Sequence, residues 1–134
     1  MGYKDKIKKF FNVNEISEDV MKIEKNGFKI SITTVNNKLI CKIGKFDSYA
    51  TLYRALIKNY YEYIANELPK ELKKICPDCE ILYKNKTSPK LEIKYKNSYI
   101  YIKRNTIEIY FEKEIFKKFL EIQKKLYEMN IINI

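Results

Sequence analysis

The sequence predicts a single α+β domain, in the order α-βββ-α(α)-ββββ-α, with an antiparallel sheet covered by helices on one face. Three observations carry that expectation. Two stretches, "MKIEKNGFKISITTVNNKLICKI" and "KYKNSYIYIKRNTIEIYF", alternate apolar and polar residues with the period of two that marks a half-buried strand. Asn26-Gly27 sits between two such runs, the strongest short-range signal for a hairpin. The segments flanking the alternating stretches instead repeat their apolar residues at helical spacing.

Ile7, Phe10 and Phe11 place a short amphipathic helix over residues 3–11, ended near "NVN". "DVMKIEK", "FKISITT" and "KLICKI" follow as three strands joined at Asn26-Gly27 and at "VNN". Asp47 or Ser48 caps the next helix, which runs to about Asn66 with Leu52, Leu56, Tyr60 and Tyr63 on one face. Pro69 is expected to interrupt it, with "PKELKKI" forming a separate short helix. "EILYK", "KLEIKYK", "YIYIKR" and "TIEIYF" are four further strands with tight links at "NS" and "N". A last helix, about residues 113–129, carries Ile115, Phe119, Ile122, Leu126 and Met129 as one apolar stripe.

At 134 residues the chain is sized for one domain. The two meanders echo one another, and a second reading divides the chain into duplicated halves, 1–66 and 67–134. No apolar run approaches the roughly 20 residues that span a bilayer, and the N-terminal stretch lacks the apolar segment of a secretory signal. Lys6 stands where a myristoylation signal needs Ser or Thr. The expectation is a cytoplasmic protein with no membrane partner.

The chain has no histidine, which removes the usual general base and the commonest metal ligand. It has only Gly2, Gly27 and Gly44, so it offers no glycine-rich phosphate loop. No cofactor is expected. The formal charge is +10, nearly all from lysine, as only Arg54 and Arg104 are arginines. Such an excess suits phosphate or acidic partners, although a lysine-rich composition also arises without functional cause.

Alternation assigns the faces of the strands. The inward set is Met21, Ile23, Phe28, Ile30, Ile32, Leu39, Cys41 and Ile43, then Leu91, Ile93, Ile100, Ile102, Ile107, Ile109 and Phe111. The outward set of the second meander is Glu92, Lys94, Lys96, Tyr99, Tyr101, Lys103, Glu108 and Tyr110. Tyrosines interleaved with lysines on an open sheet suit single-stranded DNA or RNA, whose bases stack on rings while ammonium groups meet phosphates. The expected contacts are Tyr99, Tyr101 and Tyr110 for stacking and Lys94, Lys96, Lys103 and Arg104 for phosphate. The same residues also serve a plain solvated sheet, since tyrosine favours strands and lysine keeps edges soluble.

Cys76 and Cys79, in "CPDC", are read as ordinary thiols or a local disulfide, because no second pair and no histidine complete a zinc site. Pro77-Asp78 followed by Glu92-Ile93-Lys94 resembles the signature of the PD-(D/E)xK nucleases. That resemblance implies a divalent metal held by Asp78 and Glu92, with Lys94 orienting the attacking water. The first half has the element order of double-stranded-RNA-binding domains, and the whole order resembles small dimeric secretion chaperones. The functional expectation is therefore a small non-enzymatic nucleic-acid-binding or regulatory protein. A protein-binding adaptor or inhibitor of the kind mobile genetic elements encode, acting as a homodimer or on another protein, is the first alternative. A metal-dependent nuclease is the second.

Overall fold

The computed structural model describes residues 2–84, 90–103 and 106–132. Helix α1 (Tyr3–Phe11) is followed by β1 (Asn14–Ser17), β2 (Val20–Lys25), β3 (Phe28–Val35), β4 (Lys38–Cys41) and β5 (Gly44–Phe46). Helix α2 (Tyr49–Leu72) leads to β6 (Glu80–Lys84), β7 (Lys90–Tyr95), β8 (Ser98–Lys103) and β9 (Thr106–Tyr110). A 3₁₀ turn at Lys113–Ile115 opens α3 (Phe116–Glu128). The α+β class and the order of its main elements are as expected, but the strands form two antiparallel meanders, β1-β2-β3-β4-β5 and β6-β7-β8-β9. The chain divides into two compact units, up to Tyr60 and from Tyr61 onward.

In the first unit the hairpin signals act as read. Asn26 and Gly27 both take positive φ, as do Asn36 and Asn37, the backbone that two-residue hairpin turns require. Met21, Ile23, Phe28, Ile30, Ile32 and Leu39 are buried, whereas Cys41 and Ile43 are only partly covered. Strands β1 and β5, four and three residues long, are additions that too few alternating residues announce. They also take this unit beyond the three-strand order of a double-stranded-RNA-binding domain. The first half of α2 is capped by Ser48, whose Oγ accepts from the Thr51 amide at 3.4 Å. Tyr60 lies edge-on to Phe10, Phe11 and Phe28, and its hydroxyl accepts from Asn26 Nδ2 at 2.8 Å. Lys25 follows Met21 and Ile23 on the inward parity, and it is 9% exposed. Its Nζ donates to the Phe10 carbonyl at 3.0 Å and lies 4.1 Å from the Phe10 ring centroid. Burial lowers the Lys25 pKa to about 8.

The second unit is built on a drier sheet. Leu91, Ile93, Ile100 and Ile102 are fully buried on one face of the central strands, each contributing about 1.5–3 kcal/mol. Helix α3 buries Phe119, Ile122 and Leu126, with Ile115 just ahead, as its stripe predicts. Lys118 Nζ donates to the Ile75 carbonyl at 3.0 Å, tying α3 to the end of α2. Pro69 does not end α2. A helical proline costs about 3 kcal/mol, but Leu68 and Leu72 on either side are buried, and their burial offsets it. Ile107 and Ile109 are half-buried, and Phe111, expected inward, is 46% exposed because β9 stops at Tyr110 and the chain turns away.

Candidate nucleic-acid interface

The outward face of the second sheet is defined by its register. One row across the strands is Glu80, Lys94, Tyr99 and Tyr110; the next is Leu82, Glu92, Tyr101 and Glu108. Lys84 pairs with Lys90 beyond them, and Lys103 with Thr106. Three tyrosines therefore meet across β8 and β9. Tyr99 and Tyr101 are half-buried with their rings parallel within 8° and 5.8 Å between centroids; Tyr110, 56% exposed, stands edge-on to Tyr101 at 6.0 Å. Tyr99 and Tyr101 point the same way because they are two apart on one strand, and Tyr110 joins them because it is the cross-strand partner of Tyr99.

Cations sit directly on these rings. Lys90 Nζ is 4.3 Å from the Tyr101 centroid, and Lys94 Nζ is 5.7 Å from that of Tyr99. Lys103 lies on the same face at the end of β8. Lys96 does not. It occupies the turn between β7 and β8 with φ of 54°, because Tyr95 pairs with Ser98 and the link is Lys96-Asn97, one residue earlier than read. Its ammonium reaches Tyr95, which has the parity of the inward face, at 5.5 Å. Arg104 lies outside the described residues.

Glu92 was expected outward, and it is, yet it is only 3% exposed. Its neighbours on this face cover it, and Lys84 Nζ contacts its Oε2 at 2.7 Å. The Lys84 ammonium is held above its ordinary pKa chiefly by the hydrogen bond to Glu92. Tyr101 is pushed up as well, first by desolvation and then by the Glu92 charge, so its hydroxyl stays neutral at physiological pH. Lys84 and Lys90 were absent from the sequence-derived set, although both share the parity of Glu92 and Lys94 on their strands.

Of the nuclease-like residues, Asp78 is in the turn before β6, while Glu92 and Lys94 are on β7, paired with Leu82 and Glu80 of β6. Among the described residues no group of three or more His, Cys, Asp or Glu is arranged to hold a metal ion. Cys76 and Cys79 form a disulfide across the turn that opens with Pro77. Among the described residues no helix is long and apolar enough to cross a membrane. No family model, curated protein or solved structure matches the chain.

Proposed function

We propose that this chain is a small, non-enzymatic, cytoplasmic protein that binds single-stranded DNA or RNA on the outward face of its second sheet. The observation that carries the reading is the cluster of Tyr99, Tyr101 and Tyr110 with ammonium groups lying on two of the rings. Bases stack on Tyr99, Tyr101 and Tyr110, each base gaining about 1–3 kcal/mol. As they do, Lys90 and Lys94 swing from the ring faces onto the flanking phosphates, joined by Lys103 and Arg104. Glu92 does not repel the strand, because its charge is covered and matched by Lys84. The net charge of +10 adds a long-range attraction that speeds encounter.

The test is fluorescence anisotropy with labelled single- and double-stranded DNA and RNA over a salt series. The expected result is a preference for single strands, with a salt slope near −3 if about four phosphates are neutralised at ~0.7 each. Tyr99→Ala with Tyr101→Ala should then weaken binding by about 30-fold or more. Weak binding that ignores both substitutions and vanishes at physiological salt would overturn the reading.

A further inference from the structure

The first sheet ends in the edge strands β1 and β5, and the second in β6 and β9. An edge strand presents unpaired backbone N–H and C=O groups, and charge or irregularity on it ordinarily keeps it from pairing with another chain. Three of the four edges are guarded in this way against a second copy of themselves. Strand β1 breaks register between Glu15 and Ser17. Paired about their own middle residues, β5 would set Lys45 against the partner's Lys45, and β9 would set Glu108 against the partner's Glu108. Strand β6 differs. It reads Glu80, Ile81, Leu82, Tyr83 and Lys84, with opposite charges at its two ends, apolar residues between them and leucine at the centre, so that reversed it complements itself. Leu82 is 42% exposed, and Ile81 and Tyr83 are only partly covered.

From this we infer that β6 pairs antiparallel with β6 of a second copy of the chain, about a two-fold axis that passes between the two Leu82 residues. Glu80 then stands opposite the partner's Lys84, Ile81 opposite the partner's Tyr83, and Leu82 opposite the partner's Leu82. Opposed residues of an antiparallel pair share a face, so the charged pairs and the leucines meet outward while Ile81 and Tyr83 meet inward. Symmetry repeats the charged pair and the Ile81 contact on both sides of the axis. Charge also selects the register. Moving the axis to Ile81 sets Leu82 against the partner's Glu80, and moving it to Tyr83 sets Leu82 against the partner's Lys84. In the chosen register Glu80 has Lys94 beside it on β7, so each carboxylate lies between two lysines. Lys84 is already held by Glu92 at 2.7 Å and has further N–H donors for the partner's Glu80. Backbone bonds and the covered apolar side chains supply the affinity, and the charged pairs fix the register. The strand is short, so the dimer is weak and concentration-dependent. The two four-stranded sheets become one, with both tyrosine clusters on the same face. None of the paired residues belongs to those clusters, so the inference stands apart from nucleic-acid binding.

The experiment is sedimentation equilibrium of the whole chain at physiological salt, without nucleic acid, from micromolar to millimolar protein, with circular dichroism on each variant to show that it is folded. Wild type should pass from monomer to dimer and no further. Glu80→Lys should weaken the dimer about tenfold or more, because it sets lysine against lysine at both ends of the paired strands. Glu121→Lys, which makes the same change of charge on α3, should leave the dimer as it was. The register is read separately, in a Cys41→Ser background that removes the free thiol. Directly opposed residues have Cα atoms about 4.5–5.5 Å apart, within the span of a disulfide, so Leu82→Cys should link two chains on mild oxidation. Thr106→Cys, exposed on the far edge strand β9, should not. A wild type that is monomeric at every concentration, species that grow beyond a dimer, a dimer that Glu80→Lys and Glu121→Lys affect equally, or Leu82→Cys chains that link no faster than Thr106→Cys chains would each overturn the proposal.

Discussion

Each of the two sheets hides one charged side chain, and the two solutions are opposite. The first buries a cation, Lys25, on its inward parity and surrounds it with neutral groups, the Phe10 carbonyl and the faces of Phe10 and Tyr60. The second buries an anion, Glu92, on its outward face and gives it a full opposite charge from Lys84. The consequences differ accordingly. Partial charges only partly replace water, so Lys25 loses basicity, whereas the hydrogen bond to Glu92 raises the Lys84 pKa. The outward faces diverge too. The first sheet presents Lys22, Glu24, Lys29, Ser31 and Thr33, with Lys29 3.5 Å from Glu24, and the second presents rings.

The comparison breaks most visibly at the cage. Tyr60→Ala should cost about 3–5 kcal/mol in a urea titration, because it empties a site bounded by three rings and removes the acceptor of Asn26. A loss below about 1 kcal/mol would show that the cage contributes little. Next comes the asymmetry of the Glu92 pair. Lys84→Ala should be more damaging than Glu92→Gln, since the first leaves a buried carboxylate without its counter-charge while the second frees a half-exposed lysine to reach water. Equal losses in parallel denaturation curves would mean that solvent reaches Glu92.

The pH dependence is smaller and carries a definite sign. The folded Lys25 pKa of about 8 is below the unfolded value of 10.5, so between those values the unfolded chain binds more protons and stability rises with pH. The gain should be about 1 kcal/mol from pH 8 to 9, and Lys25→Met should abolish it. A wild-type profile falling over that interval would contradict the buried position of the amine. The smallest effect belongs to the exposed pair on the first sheet. Glu24→Gln should change stability by less than about 0.5 kcal/mol and leave any nucleic-acid binding unaltered within experimental error.

These two buried charges also show what alternation reveals and what it hides. Period two placed Met21 and Ile23 inward, and continuing it by one step would have placed Lys25 there; the lysine was passed over because its type argues for solvent. Glu92 was put on the correct face, but its burial depends on Leu82, Lys84 and Tyr101 from the strands on either side, contacts that no single strand records. Lys96 was misplaced by a one-residue difference in the turn, enough to move a side chain from the outward row to the neighbourhood of Tyr95. Pro69 shows packing overruling local preference: its intrinsic cost was legible, while the buried leucines beside it were visible only once α2 was in place. The apolar stripe that docks α3 was clear from its spacing.

The caged amine of Lys25 has a consequence for chemical reactivity. An acylating reagent attacks the unprotonated amine, and near pH 8 about half of Lys25 is in that form while ordinary exposed lysines are almost wholly ammonium. Its shielding by Phe10 and Tyr60 withholds it from the reagent in the closed state. In the open state its basicity returns to that of its neighbours, so its slow acylation, followed residue by residue in a mass spectrum, would time how often the first unit breathes.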